Sequence, residues 1–125
     1  MTGNEYQKEA LRTLSPIHPN SEEFQNASEN EYKNLVLMEG AMGLCGEAGE
    51  CLELLKKSIF QGHPLYRKDM VEELGDVAWY LAVSAWAIGY DLEDIFKLNL
   101  EKLKDRYPEG FDPELSVNRG SKGVE

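Results

Sequence analysis

Two acidic stretches carry the side chains best suited to chemistry: Gly46-Glu47-Ala48-Gly49-Glu50 and Glu72-Glu73-Leu74-Gly75-Asp76. Residues three apart share a helix face, so helical backbone sets Glu47 beside Glu50 and Glu73 beside Asp76. The 22 residues between Glu50 and Glu73 are enough to finish one helix, turn through Gln61-Gly62-His63-Pro64-Leu65 and begin an antiparallel partner. Such a hairpin gathers four carboxylates. Ionised carboxylates a few Å apart repel, more so as water is excluded, so the group needs protons or cations. Oxygen ligands alone select hard ions, Mg2+ or Mn2+, and Mg2+ typically joins a few carboxylates to waters and substrate phosphates. A di-iron bundle would need Glu-x-x-His on two helices. Neither acidic stretch has a histidine at that spacing.

The elements that must position these acids follow from pattern and punctuation. A short first helix is expected over Glu5 to Leu14, ended by Ser15-Pro16. Ile17 to Ala27 reads as a connector, with an extra turn around Ser21-Glu22-Glu23-Phe24. Ser28-Glu29-Asn30-Glu31 is a capping box and opens a second helix to about Ile59. In it Leu37, Ala41, Leu44, Cys45, Ala48, Cys51, Leu52 and Leu55 make an apolar stripe bordered by Glu47 and Glu50. Acids on a helix usually form a solvated face; these border apolar stripes on two consecutive helices. Gly40, Gly43, Gly46 and Gly49 recur every third residue, each costing about 0.8–1 kcal/mol relative to alanine. Close approach of another helix, or of a phosphate, is what would offset that.

A third helix is expected from about Arg67 to Ile88, stopping at Gly89. Met70, Val71, Leu74, Val77, Ala78, Leu81, Ala85 and Ile88 form its expected core stripe, and Asp69, Glu73, Asp76 and Tyr80 a second face. Tyr80 on that face either meets a nucleotide or is simply half-buried. Trp79, Ala82 and Trp86 make a third, apolar face, expected to be covered by a second copy of the chain. A fourth helix should run from Leu92 to about Tyr107, stopped by Pro108, with Asn99, Lys102 and Arg106 on one edge. Asp112 to Glu125 has few large apolar residues and is expected to be a mobile polar tail. The fold class is therefore all-α: an antiparallel four-helix-type bundle, residues 1–111, completed by homo-oligomerisation, with 112–125 as tail.

At 125 residues the chain is the size of one domain. A net charge of −10 argues against a general nucleic-acid or anionic-membrane binder, though bound metal can invert the local sign for a nucleotide. Cys45 and Cys51 sit six residues apart in one expected helix, about 9 Å along its axis, too far to bridge. No apolar run reaches the roughly 20 residues of a membrane span, and Met1-Thr2-Gly3-Asn4-Glu5 does not look like a signal peptide, so a cytoplasmic setting is expected.

The acidic pair, with Glu73-Leu74-Gly75-Asp76-Val77-Ala78-Trp79-Tyr80-Leu81 and the stretch from Asn99 through Lys102-Leu103 to Arg106-Tyr107-Pro108-Glu109-Gly110-Phe111, resembles the MazG-like nucleotide pyrophosphohydrolases. The resemblance covers roughly residues 5 to 111 and is closest to the short single-domain members. Their signature is Glu-Glu-x-x-Glu followed by Glu-x-x-Asp; here Gly46 stands at the first glutamate. The resemblance implies Mg2+-dependent hydrolysis of a nucleoside triphosphate to monophosphate and pyrophosphate, by dimers or tetramers whose subunits help build one another's sites. It implies metal ligation by Glu47, Glu50, Glu73 and Asp76, and phosphate or base contacts from Asn99, Lys102, Arg106 and Tyr107. Lys57 joins Lys102 and Arg106 as a cation to meet triphosphate charge. Metal-activated water attack on the α-phosphorus, with Glu47 or Glu50 taking the proton, is the reaction expected. Two rivals stand beside it: a phosphoribosyl-ATP pyrophosphohydrolase, and a non-catalytic helical module that dimerises and binds a partner.

Overall fold

The computed structural model describes residues 1–15 and 28–122. The extra turn expected around Ser21 to Phe24 lies outside them. Among the described residues five helices follow in order: α1 (Gly3–Leu11), α2 (Glu29–Gln61), α3 (Arg67–Ala87), α4 (Leu92–Arg106) and α5 (Pro113–Lys122). No strand occurs among the described residues, and no helix there is long and apolar enough to cross a membrane. The chain divides into two compact units, Met1–Leu92 and Glu93–Glu125.

Local chemistry sets the helix ends. Thr2 caps α1 through a reciprocal box, its Oγ1 accepting from Glu5 N at 3.1 Å while Glu5 Oε2 accepts from Thr2 N at 2.7 Å. The helix therefore starts two residues earlier than expected. Ser28 Oγ accepts from Glu31 N at 3.2 Å and opens α2. Gly62, with φ of 72°, closes it by donating its N–H to Lys57 O. Gly89, with φ of 82°, follows the end of α3.

In the first unit α2 and α3 form an antiparallel hairpin, and α1 lies against α3. The tightest part is the N-terminal half of α2. A Cβ on Gly40 would collide with Ser84 Oγ, and one on Gly43 with the Tyr80 ring. Close helix approach thus accounts for these two glycines. Val36 and Val83 are fully buried nearby, each contributing about 1.5–3 kcal/mol.

The other side of α3 is covered by α1. Ala10, Ala82 and Leu92 form a small core with Tyr6, Trp79 and Leu81 packed on it. Buried Gln7 ties the corner together: Nε2 donates to Ala82 O at 3.0 Å and Tyr90 O at 3.2 Å, and Oε1 accepts from Leu92 N at 2.9 Å. Trp79 Nε1 donates to Thr13 Oγ1 at 2.8 Å, and Trp86 meets Tyr32 edge-on at 6.2 Å. Of the Trp79-Ala82-Trp86 face expected to meet a second copy, Trp79 and Ala82 are therefore covered by this chain's own α1, while Trp86 packs on Tyr32 of α2. The stripes expected as core are covered only in part: Ala85 is buried and Val77, Ala78 and Leu81 are half-buried, but Leu52 is 66% exposed, Val71 66% and Leu74 55%. A helix apolar on two sides does not reveal which side its own chain will cover.

The second unit also departs from expectation, because the presumed tail contains α5. Pro113 is its first residue and Asp112 Oδ1 accepts from Glu114 N at 2.9 Å, a cap and a pre-set φ that favour a helix without a large apolar face. Between α4 and α5, Gly110 has φ of 94° and Tyr107 packs on Phe111 at 5.4 Å.

Candidate metal centre

Helix packing sets the register that assembles the acids. Starting from the Gly43–Tyr80 contact, one turn forward on α2 and one turn back on α3 bring Glu47 opposite Asp76. Glu73 lies three residues before Asp76, on the same face. One carboxylate oxygen from each of Glu47, Glu73 and Asp76 lies within 4.8 Å of the other two. Glu47 and Glu73 are half-buried and Asp76 is exposed.

These charges strain one another. A hydrogen bond between the Glu47 and Glu73 carboxyls, which only a shared proton permits, raises the pKa of Glu73; burial and the charges of Glu47, Glu50 and Asp76 push it the same way. A divalent cation would replace that proton. The donor set is oxygen alone, and two oxygens on opposite sides of Mg2+ stand about 4 Å apart, inside the 4.8 Å within which these three lie. Glu47, Glu73 and Asp76 therefore suit such an ion. Glu50 is exposed and outside this group, but its charge reaches Glu73.

The remaining candidates sit in different surroundings. Lys57 is half-buried near the end of α2, its Nζ 4.0 Å from Glu53 Oε1, about 15 Å along the axis from Glu47. The Tyr80 ring lies over Gly43 and meets Trp79 edge-on at 5.0 Å, as a half-buried packing residue. Asn99, Lys102, Arg106 and Tyr107 belong to the second unit. There Asn99 and Lys102 are exposed, while Arg106 lines a small cleft of about 70 Å³ with Leu115 and Arg119.

One neighbour of the acids has no signature in the sequence. Tyr6 on α1 has its phenol pKa raised, first by burial and then by the charge of Asp76, so α1 carries a hydroxyl within electrostatic reach of the group. The two residues are 70 positions apart, and no local pattern links them.

Gly46 and Gly49 differ from Gly40 and Gly43 in having nothing within 4 Å of where a Cβ would stand. Protein packing does not account for this second pair.

Comparison with known proteins matches these residues to a family. The description of the MazG nucleotide pyrophosphohydrolase domain matches residues 39–111. A curated relative, the "Gene 37 protein" of Mycobacterium phage L5, is 38% identical over 82 residues, covering 62% of this chain and 72% of its own. No solved structure matches significantly. Because the family match spans more than half of the chain and runs through Glu47, Glu50, Glu73 and Asp76, this protein belongs to the MazG nucleotide pyrophosphohydrolase family.

Proposed function

We propose that the protein hydrolyses nucleoside triphosphates to the monophosphate and pyrophosphate with Mg2+, Mn2+ serving in its place. The observation that carries this reading is the meeting of Glu47, Glu73 and Asp76 from two antiparallel helices, inside the segment shared with the family. Bound Mg2+ supplies neutralisation of phosphate oxygens and a lowered pKa for a water.

This chain's side chains do the rest. Glu47, Glu73 and Asp76 hold the ion, and Glu50, whose charge reaches Glu73, is assigned as a fourth oxygen ligand. Glu50, exposed and outside the three, is our choice of general base for the attacking water, with Glu47 the other candidate. Within the first unit Lys57 is assigned to the triphosphate and Tyr80 to phosphate or base; for Asn99, Lys102, Arg106 and Tyr107 of the second unit, phosphate or base contact is what the resemblance implies. The same reading includes a homodimer or homotetramer. Its support is the bare apolar stripe of Leu52, Ile59, Val71 and Leu74, which in water favours association by removing that surface.

The test is pyrophosphate release from a panel of ribo- and deoxynucleoside triphosphates, with Mg2+ and with chelator. Release should require the metal and be lost in Glu50→Gln and Asp76→Asn, both of which should keep the helical circular dichroism of the parent. Hydrolysis persisting in both variants would remove the assignment.

A further inference from the structure

A second cleft, of about 400 Å³, lies between α1 and the C-terminal half of α3. Its volume falls in the range of about 300–1,000 Å³ typical of small-molecule sites. Lys8, Leu11 and Arg12 form one wall with Gln7 at its base, and Trp86 forms the other. Asn4 and Asp91, each engaged within the protein, make the rim. Trp86 lies ten residues beyond Asp76 on the same helix, so the cleft is about 15 Å along α3 from the acidic group. Its α1 wall precedes the segment matched by the family, residues 39–111.

The wall chemistry is opposite to that of the chain as a whole. Net charge is −10, yet Lys8 and Arg12 stand one helical turn apart on this cleft, where like charges repel. Among the described residues Arg12 pairs with Glu9, at 2.6 Å, in an exposed ion pair of a kind that contributes little. An anion between the two cations relieves their repulsion. Trp86 is half-buried, with Tyr32 at its edge and the Lys33 ammonium 5.1 Å from its ring centroid, and it offers an indole surface to a flat ring. The Gln7 hydrogen bonds to Ala82, Tyr90 and Leu92 fix α1 against α3, so the cleft is formed before any ligand arrives.

We propose that this cleft binds a flat aromatic ring bearing an anionic group, either a nucleotide phosphate or an aromatic carboxylate, separately from the acidic centre. The ring lies against Trp86 and Leu11, and the anion between Lys8 and Arg12.

The whole protein is titrated in chelator, without divalent metal, following tryptophan fluorescence and heat. The probes are AMP, benzoate, adenosine and inorganic phosphate. Saturable binding of AMP or benzoate is expected, with adenosine and phosphate at least tenfold weaker. A Lys8→Ala, Arg12→Ala double variant, altered only at exposed positions, should weaken binding at least tenfold and leave circular dichroism unchanged. Binding of AMP without benzoate assigns the anion as phosphate, and the reverse assigns it as carboxylate. The proposal is overturned if neither saturates by about 10 mM, if adenosine binds as well as AMP, or if the double variant binds like the parent. None of these outcomes depends on hydrolysis at the acidic centre.

Discussion

The two halves of α2 use the same residue to opposite ends. In the N-terminal half, Gly40 and Gly43 let Ser84 and Tyr80 of α3 lie almost on the backbone, and the contact fixes the hairpin's register. In the C-terminal half, Gly46 and Gly49 precede Glu47 and Glu50 with nothing within 4 Å of where a Cβ would stand, and Leu52, Leu55 and Ile59 beyond them are exposed. The packed half sets the register from which the open half's carboxylates take their places. Stability and the candidate chemistry are therefore separated along one helix, and substitutions should divide accordingly.

The largest effect is expected on activity. Glu73→Gln should lower pyrophosphate release by about 100-fold or more, equivalent to roughly 2.7 kcal/mol of lost transition-state stabilisation, while the melting temperature stays near that of the parent. A loss of folding instead would assign Glu73 to the packed region.

Gln7→Ala should come next, destabilising the fold by about 2–3 kcal/mol in urea. It leaves the buried Leu92 N–H without its acceptor and removes the donor to Tyr90 O. Gly43→Ala should cost about 1–3 kcal/mol, because the Tyr80 ring must move and the register with it. Gly46→Ala should do the reverse, stabilising by about 0.5–1 kcal/mol through helix propensity. Shifts of opposite sign at these two glycines would sharpen the contrast between the halves, and shifts of the same sign would break it.

A smaller effect concerns pH. Because the Glu73 pKa is raised, the folded protein holds a proton that the unfolded chain has released above the ordinary glutamate value of 4.5. Native protein then binds more protons than unfolded protein, so stability falls as pH rises through that window. The metal-free melting temperature should decline slightly through this group as pH climbs above that value. Mg2+ should stabilise more at neutral pH than in acid, since it competes with that proton. A metal-free melting temperature rising over this interval in the parent but not in Glu73→Gln would contradict the sign.

How much of this could be read from the chain depended on the range of the interaction. The helix starts at Ser28 and Leu92, the stop at Gly89 and the i, i+3 acids are local, and they emerged within a residue or two. α5 is not legible in this way: Asp112-Pro113 is a helix start signal, but the segment's few large apolar residues point to a tail. Which face of α3 is covered was not legible. That depends on α1 docking through Gln7, whose partners lie 75 to 85 positions away. The approach of Tyr6 to Asp76 was hidden for the same reason.

The most direct measurement is an anomalous difference map from crystals grown with Mn2+. A peak among Glu47, Glu73 and Asp76, within about 2.0–2.3 Å of their carboxylate oxygens, is the predicted result. Full Mn2+ occupancy elsewhere in the same crystal, with these three side chains turned apart and no peak between them, would contradict the assignment.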